Sequence, residues 1–328
     1  MAGNWRAIRR RLITPSKTSA SFAKRGFYEK NPETRKYLET VGGMFIDGYA
    51  YAVESRSIAE MEARIDQLPR QFRGFAYEGA GMGHAMLDGM FGGRHVEKFL
   101  ASRAESHVYM VYVGVGWALA RLPRFRWAAA TKSIPDPLLR WLVLDGYGFH
   151  QAFFKTEKYV HQQYQEKNFP WPTEGPRWYT NNALDQGIGR AMWFVGGAEP
   201  NRVADLIGKF PQARHADLYA GAGLAASYAG SVSEEELRTF ASRAGVYLPQ
   251  VAQGSVFAAT ARVETNLVTE HTPLATRILA GITPEQAQVL QRQVRPAPAD
   301  RPEGDIPIFE LWRQRISAGV TAMQGANP

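Results

Sequence analysis

The apolar run Trp141 to Phe154, WLVLDGYGFHQAFF, holds one acid, Asp145, and one imidazole, His150. An ionised carboxylate in apolar surroundings is costly unless it is partnered, so Asp145 is a candidate for a perturbed pKa and for proton transfer. On an ideal helix Asp145 and His150 lie about 140° apart and do not form a ready-made dyad. Tyr147, His150 and Phe154 follow at steps of three and four residues. They share one face, an aromatic and imidazole surface that suits a flat, unsaturated ligand and that would also serve as ordinary packing.

The same grammar, an acid followed by small residues and aromatics, recurs at IDGYAY (46–51), YEGAGMGHAML (77–87) and LDQGIGRAMWF (184–194), and its small and aromatic part recurs at YAGAGLAASYA (219–229). In the second of these, His84 falls on a stripe with Tyr77, Gly81 and Asp88. Asp88, one turn away, would fix the tautomer of His84 and raise its basicity, which makes His84 a candidate general base; a satisfied core histidine is the competing reading. Glu78 stands about 120° around the helix from His84, so the two form no local pair. The candidate catalytic residues are therefore Asp145, His150, Glu78 and His84. The candidate ligand-contacting residues are Tyr77, Gly81, Tyr147, Phe154, Trp117 and Trp193. Asp47, Asp145 and Asp185 each precede a glycine by one or two residues and fit helix N-caps as well as catalysis. If the helix continued from Gly146 to Gln165, His150, Glu157 and His161 would share a face and Glu157 with His161 would have metal-ligand spacing. Lys155 and Lys158 mark that surface as solvated, so no metal and no cofactor is assigned.

The elements that must position these residues read as helices. Leu38, Val41, Gly42, Phe45, Tyr49 and Ala52 step at three and four residues from Pro32 onward, a second helix spans 58–68 before Pro69, and alternating strand patterns are scarce. Each glycine inside a helix costs up to about 1 kcal/mol relative to alanine. Close approach of a second helix, or of a flat ligand, at Gly79, Gly81, Gly83 and Ala85 offsets that cost. Ser233 with Glu236, and Thr283 with Gln286, are capping boxes; Gly245 is placed to stop the first of those helices. The expected class is all-α, a multihelical single domain. Phe45 to Gly81 aligns without gaps on Gly187 to Gly223, so a Gly/Ala-rich helical unit is read as duplicated, at about 45–130 and 187–265. That body, residues 31–295, follows a basic arm over 1–30 and precedes a Pro-rich linker and C-terminal helix over 296–328, with Phe309 to Ile316 docked on the body and fraying expected beyond Ala318.

Composition bounds the chemistry. The 328 residues contain no cysteine, which excludes disulfides, thiolate zinc sites and a cysteine nucleophile. No HExxH, GxSxG, DDxxD, P-loop or dinucleotide fingerprint is present. Residues 1–40 carry ten Lys or Arg against three Glu, within a total charge of +8. Such an arm on a near-neutral body suits a tail that meets an acidic partner, a membrane surface or nucleic acid, rather than a domain with a basic face; a solvated arm is the competing reading. Trp5 and Ile8 among Arg6, Arg9, Arg10 and Arg11 favour peripheral contact with a membrane, and nucleic acid is not expected as a partner. With no apolar stretch of spanning length and no secretory h-region, a cytoplasmic or membrane-associated location is expected.

The segments RRLITPSKTSASFAKRGF, RKYLETVGGMFIDGYAYAVE, RGFAYEGAGMGHAMLD, HVYMVYVGVGWALARLP, PLLRWLVLDGYGFHQAFF, QGIGRAMWFVGGAEPNRV, DLYAGAGLAASYAG and QGSVFAATAR, colinear over about residues 10–275, resemble the UnbL-like family of unknown function, whose members occur in enediyne biosynthetic clusters. The resemblance implies an accessory role in enediyne-type polyketide biosynthesis, acting on or binding a long conjugated polyene during core formation. It implies a polyketide synthase and a membrane protein as functional companions, and it assigns no catalytic residues. Three readings follow: a core-maturation enzyme or subunit, a non-catalytic carrier or scaffold for a hydrophobic intermediate, and a His-ligated haem or iron oxidant.

Overall fold

Asn31 and Pro32 open the first long helix. The Asn31 side chain accepts the Thr34 amide at 2.8 Å, and Pro32 stands at the first position, where a missing N–H costs nothing. The computed structural model describes residues 14–134, 136–171, 176–297, 300 and 304–325, and in them every regular element is helical, with no strand among the described residues. The expected all-α class is borne out. The chain divides into two compact units, the first comprising residues up to Gly26 and 36–147, the second residues 27–35 and 148–328.

The first unit contains most of α1 (Pro32–Glu54), then α2 (Ile58–Ile65), α3 (Arg73–Phe91), α4 (His95–Leu100), α5 (Val108–Leu119), α6 (Trp127–Thr131) and the opening half of α7 (Arg140–Phe154). Its long helices are seated on one another through glycine. A Cβ at Gly48 would overlap the Ala76 carbonyl oxygen, and one at Gly79 would overlap that of Phe45. The arrangement recurs between α3 and α5, where Gly81 faces Val111 and Gly114 faces Glu78. It recurs again between α5 and α7, where Gly116 faces Val143 and Gly146 faces Val113. What approaches each glycine is backbone, so the helical cost of these residues is offset by main-chain contact that any side chain would prevent. Leu38, Val41, Phe45, Tyr49 and Ala52 are buried as the sequence stripe predicts.

The second unit holds the rest of α7, then α8 (Tyr179–Val195), α9 (Pro200–Gly208), α10 (Gln212–Tyr228), α11 (Glu234–Ala244), α12 (Leu248–Glu264), α13 (His271–Ala280), α14 (Pro284–Gln293) and α15 (Ile308–Gly325). Here α8, α10, α12 and α14 pack in sequence as one layer, and α9, α11 and α13 pack in sequence as another. Glycine again sets the spacing. Gly148 meets Leu184, Gly189 meets Leu218 while Gly221 meets Gln186, and Gly223 meets Val251 while Gly254 meets Ala220. Gly48, Gly79, Gly114 and Gly146 in the first unit, and Gly189, Gly221 and Gly254 in the second, each seat on the backbone of a neighbouring helix. Gly114 on Glu78 in the first unit and Gly254 on Ala220 in the second are contacts of the same kind.

Both capping boxes are formed, and Gly245 ends α11 with φ of 53°. Several expectations need correction. Asp47, Asp145 and Asp185 lie inside α1, α7 and α8 and cap none of them, because each helix begins well upstream. Helix α7 stops at Phe154 and a separate π-helical turn covers Glu157–His161, so His150, Glu157 and His161 do not share one continuous helical face. Helix α15 runs past Ala318 to Gly325, held by buried Phe309, Trp312, Ile316 and Val320 and by Gln324 Nε2 donating to Ala280 O at 3.1 Å. Of the basic arm, residues 1–13 lie outside the described residues; further along, Phe22 and Phe27 are buried.

Candidate functional site

In the first unit the seated helices bring Glu78 and Trp117 together. Glu78 is 4 % exposed, and its Oε1 accepts the Trp117 indole N–H at 3.0 Å. The Trp117 ring lies 4.3 Å from that of Phe45. Gly114, one turn before Trp117, rests against the Glu78 carbonyl, so the bond that fixes the carboxylate depends on the absence of a Cβ three residues away. Asp145, also buried, sits on α7 next to Gly146, which meets Val113 of α5. Tyr147 packs edge-on against Trp127 at 5.8 Å. Gly81, expected to offer a ligand surface, instead faces the Val111 backbone, where an added Cβ would come within 2.8 Å of the carbonyl oxygen, and is used for helix packing.

The expected His84–Asp88 pair is not what the fold makes. Asp88, fully buried, accepts the backbone amides of His95 and Val96 at 2.8 and 3.0 Å and faces His95 Nδ1 at 2.7 Å, so it anchors the start of α4. A carboxylate accepting amide hydrogen bonds at a helix start is a stronger partner for those orphan donors than for a ring one turn back. His84 packs instead beside Phe99 at 4.7 Å and His95 at 6.4 Å. Tyr77 stacks on His107 at 3.6 Å and lies parallel to Phe99 at 6.0 Å, which forms a ladder of rings His107, Tyr77, Phe99, His84 and His95. Burial, with the nearby Glu62 charge, pushes the Tyr77 hydroxyl up to about 12. It stays a neutral donor across physiological pH.

In the second unit His150 Nδ1 lies 3.3 Å from Gln151 Oε1, and its ring is 4.7 Å from that of Phe154. Gln151 donates to the Tyr159 hydroxyl at 2.9 Å, which in turn donates to Glu166 at 2.5 Å. Trp193 is wholly buried, donates to Gly230 O at 3.0 Å and meets Phe240 edge-on, so its place is in the packing of α8 against α10 and α11. Asp145 and His150 share α7 but belong to different units.

A further buried polar cluster surrounds Arg313, at residues that the sequence did not single out. Arg313, 5 % exposed on α15, donates from Nη1 to Asp217 Oδ1 at 2.7 Å, Glu310 Oε2 at 2.6 Å and the Tyr179 hydroxyl at 3.0 Å, and from Nε to Gln253 Oε1 at 3.0 Å. Asn182 and Gln186 donate to the two oxygens of Asp217 at 2.8 and 3.1 Å. Burial raises the Asp217 carboxyl against the pull of Arg313, and it raises the Tyr179 hydroxyl well above its ordinary value. Burial opposes the charge on Arg313, but Tyr179, Glu310 and Asp217 outweigh it and hold the guanidinium charged. A second pair, Asp185 bridged by Arg214 at 2.5 and 2.8 Å, lies on the same α8–α10 contact, and burial lifts Asp185 to about 6. Arg313 had a signal in the sequence: it falls between Phe309 and Ile316 on an otherwise apolar stripe, where a lone cation implies a buried partner.

Among the described residues no group of three or more His, Cys, Asp or Glu side chains is placed to hold a metal ion, and no helix is long and apolar enough to cross a membrane. Glu157, one of the residues with ligand spacing, accepts from Gln162 Nε2 at 3.2 Å.

Helices seated on one another through glycine, with carboxylates buried among them, define an all-α protein. The chain belongs to DUF1702, a family of proteins of unknown function, whose family model matches residues 4–320. No curated protein and no solved structure matches it.

Proposed function

We propose that this chain is an accessory protein of enediyne-type polyketide biosynthesis that binds a long conjugated polyene intermediate and moves protons on it. The observation that carries the reading is Glu78. A carboxylate 4 % exposed, bonded to the Trp117 indole beside Phe45, is an expensive group to keep in the interior of a helical unit. A buried acid among aromatic rings is suited to protonating or deprotonating an unsaturated chain, with Asp145, His84 and His150 as further proton carriers. The resemblance of residues 10–275 to proteins of enediyne clusters supplies the substrate class.

On this reading the protein works in the cytoplasm beside a polyketide synthase and a membrane-protein companion, with the basic arm as its contact to a membrane surface. The purified chain is incubated with the polyketide synthase product while mass and absorption spectrum are recorded. A polyene whose spectrum or mass stays altered after the protein has been removed, an alteration absent with Glu78→Gln, supports the enzyme reading. A spectrum that shifts only while the polyene is bound and reverts on its release identifies a carrier instead, and no change in either signal overturns the proposal.

A further inference from the structure

Beside the buried Arg313 cluster, the groove between α12 and α15 opens into a pocket of about 290 Å³ lined by Gln250, Gln253, Glu310, Arg313, Gln314, Ser317, Ala318 and Thr321. Its volume is at the small end of ligand sites, and of its lining side chains Ala318 is the one that is apolar, so it does not suit a polyene. Glu310 has both oxygens engaged, Oε2 by Tyr179 and Arg313 and Oε1 by Gln314 at 3.0 Å, so a cation would have to displace an existing partner. An anion approaching Arg313 would meet Asp217 and Glu310, which already surround its Nη1 at 2.7 and 2.6 Å. The pocket is therefore matched to neither charge.

It does offer neutral hydrogen-bonding capacity. Gln250 Oε1 is buried and has no hydrogen-bond partner among the described residues, an arrangement that costs roughly 1–3 kcal/mol unless something completes it. Arg313 spends Nε and Nη1 on protein partners, which leaves the Nη2 donors. Ser317 and Thr321 use their hydroxyl protons on Pro249 O and Ser317 O, which leaves their oxygens as acceptors. Adjacent donors and acceptors of this kind match vicinal hydroxyl groups, each of which gives and takes one hydrogen bond. We propose that this pocket binds a small neutral polyhydroxylated ligand, of the polyol or monosaccharide class. The assignment is independent of the polyene reading.

The full-length chain is titrated with D-glucose and with myo-inositol, followed by saturation-transfer NMR, with inorganic phosphate and putrescine as charged probes. Saturable binding of at least one of the two polyols is expected. It should weaken at least tenfold in Gln250→Leu and in Thr321→Val, at an unchanged melting temperature, since neither side chain belongs to the Arg313 network. Failure of both polyols to saturate, saturation by phosphate or putrescine alone, or polyol binding undiminished in the two variants combined would each overturn the proposal.

Discussion

Asp217 Oδ1 accepts Arg313 Nη1 at 2.7 Å and so ties α10 to the C-terminal helix across 96 residues of sequence. Both groups are buried, and without Arg313 the Asp217 carboxylate would keep only the neutral donors Asn182 and Gln186. Removing one partner of such a pair typically costs about 3–5 kcal/mol. Arg313→Met should therefore lower stability by that order in urea denaturation, and a chain ending at residue 307 should be weakened comparably or more. Asp217→Asn with Arg313→Met, which removes both charges, should recover part of the loss; a double variant no better than the worse single one would show that the pair is not coupled.

The glycine seats predict opposite effects within one helix. At Gly48 of α1 a Cβ would overlap the Ala76 carbonyl, whereas at Gly43 nothing lies within 4 Å. Gly48→Ala should destabilise by about 1–3 kcal/mol or more through forced separation of α1 and α3. Gly43→Ala should stabilise by up to about 1 kcal/mol through helix propensity. Thermal melts of the two variants, compared with the parent, check both signs.

His271 sets an acid limit. Its Nε2 donates to Ala226 O at 2.8 Å, and burial, assisted by the Arg262 charge, lowers its pKa below the ordinary 6.5. The unfolded chain then takes up a proton at a pH where the folded ring remains neutral. The contribution of this group is complete above about pH 6.5 and is lost as pH falls from there toward the folded value. Urea midpoints measured between pH 7.5 and 5.5, roughly the window that histidine titration governs, should fall in the parent and flatten in His271→Asn.

Glu78→Gln separates packing from proton transfer. The amide oxygen still accepts the Trp117 indole, so the melting temperature should change by no more than a few degrees, in line with about 1 kcal/mol for one altered hydrogen bond. If Glu78 carries protons, conversion of the polyene is lost while its binding remains. Retained conversion would assign the carboxylate to packing alone.

The helical class, the two capping boxes and the buried stripe of α1 were legible because each is a local pattern: period, start signal and stop residue all lie within a few positions. The role of the glycines was half legible. Their spacing marked close approach, but a helix and a flat ligand require the same absence of Cβ, and the backbone of the neighbouring helix proved to be the occupant at Gly79, Gly81 and Gly114. The partners of buried charges were not legible. Asp88 stands one turn from His84 in sequence yet bonds to His95 across the glycine turn at Gly92 and Gly93, and Arg313 finds Asp217 on another helix. Such pairings are fixed by tertiary packing, which spacing along one helix does not encode.

In the second unit each long helix is seated on the one before it, and the short helices follow the same order. Under a pulling force applied at the chain end, such an arrangement has no reason to give way all at once. The clasp at Arg313 would have to open first, and the helices of this unit would then be released one after another.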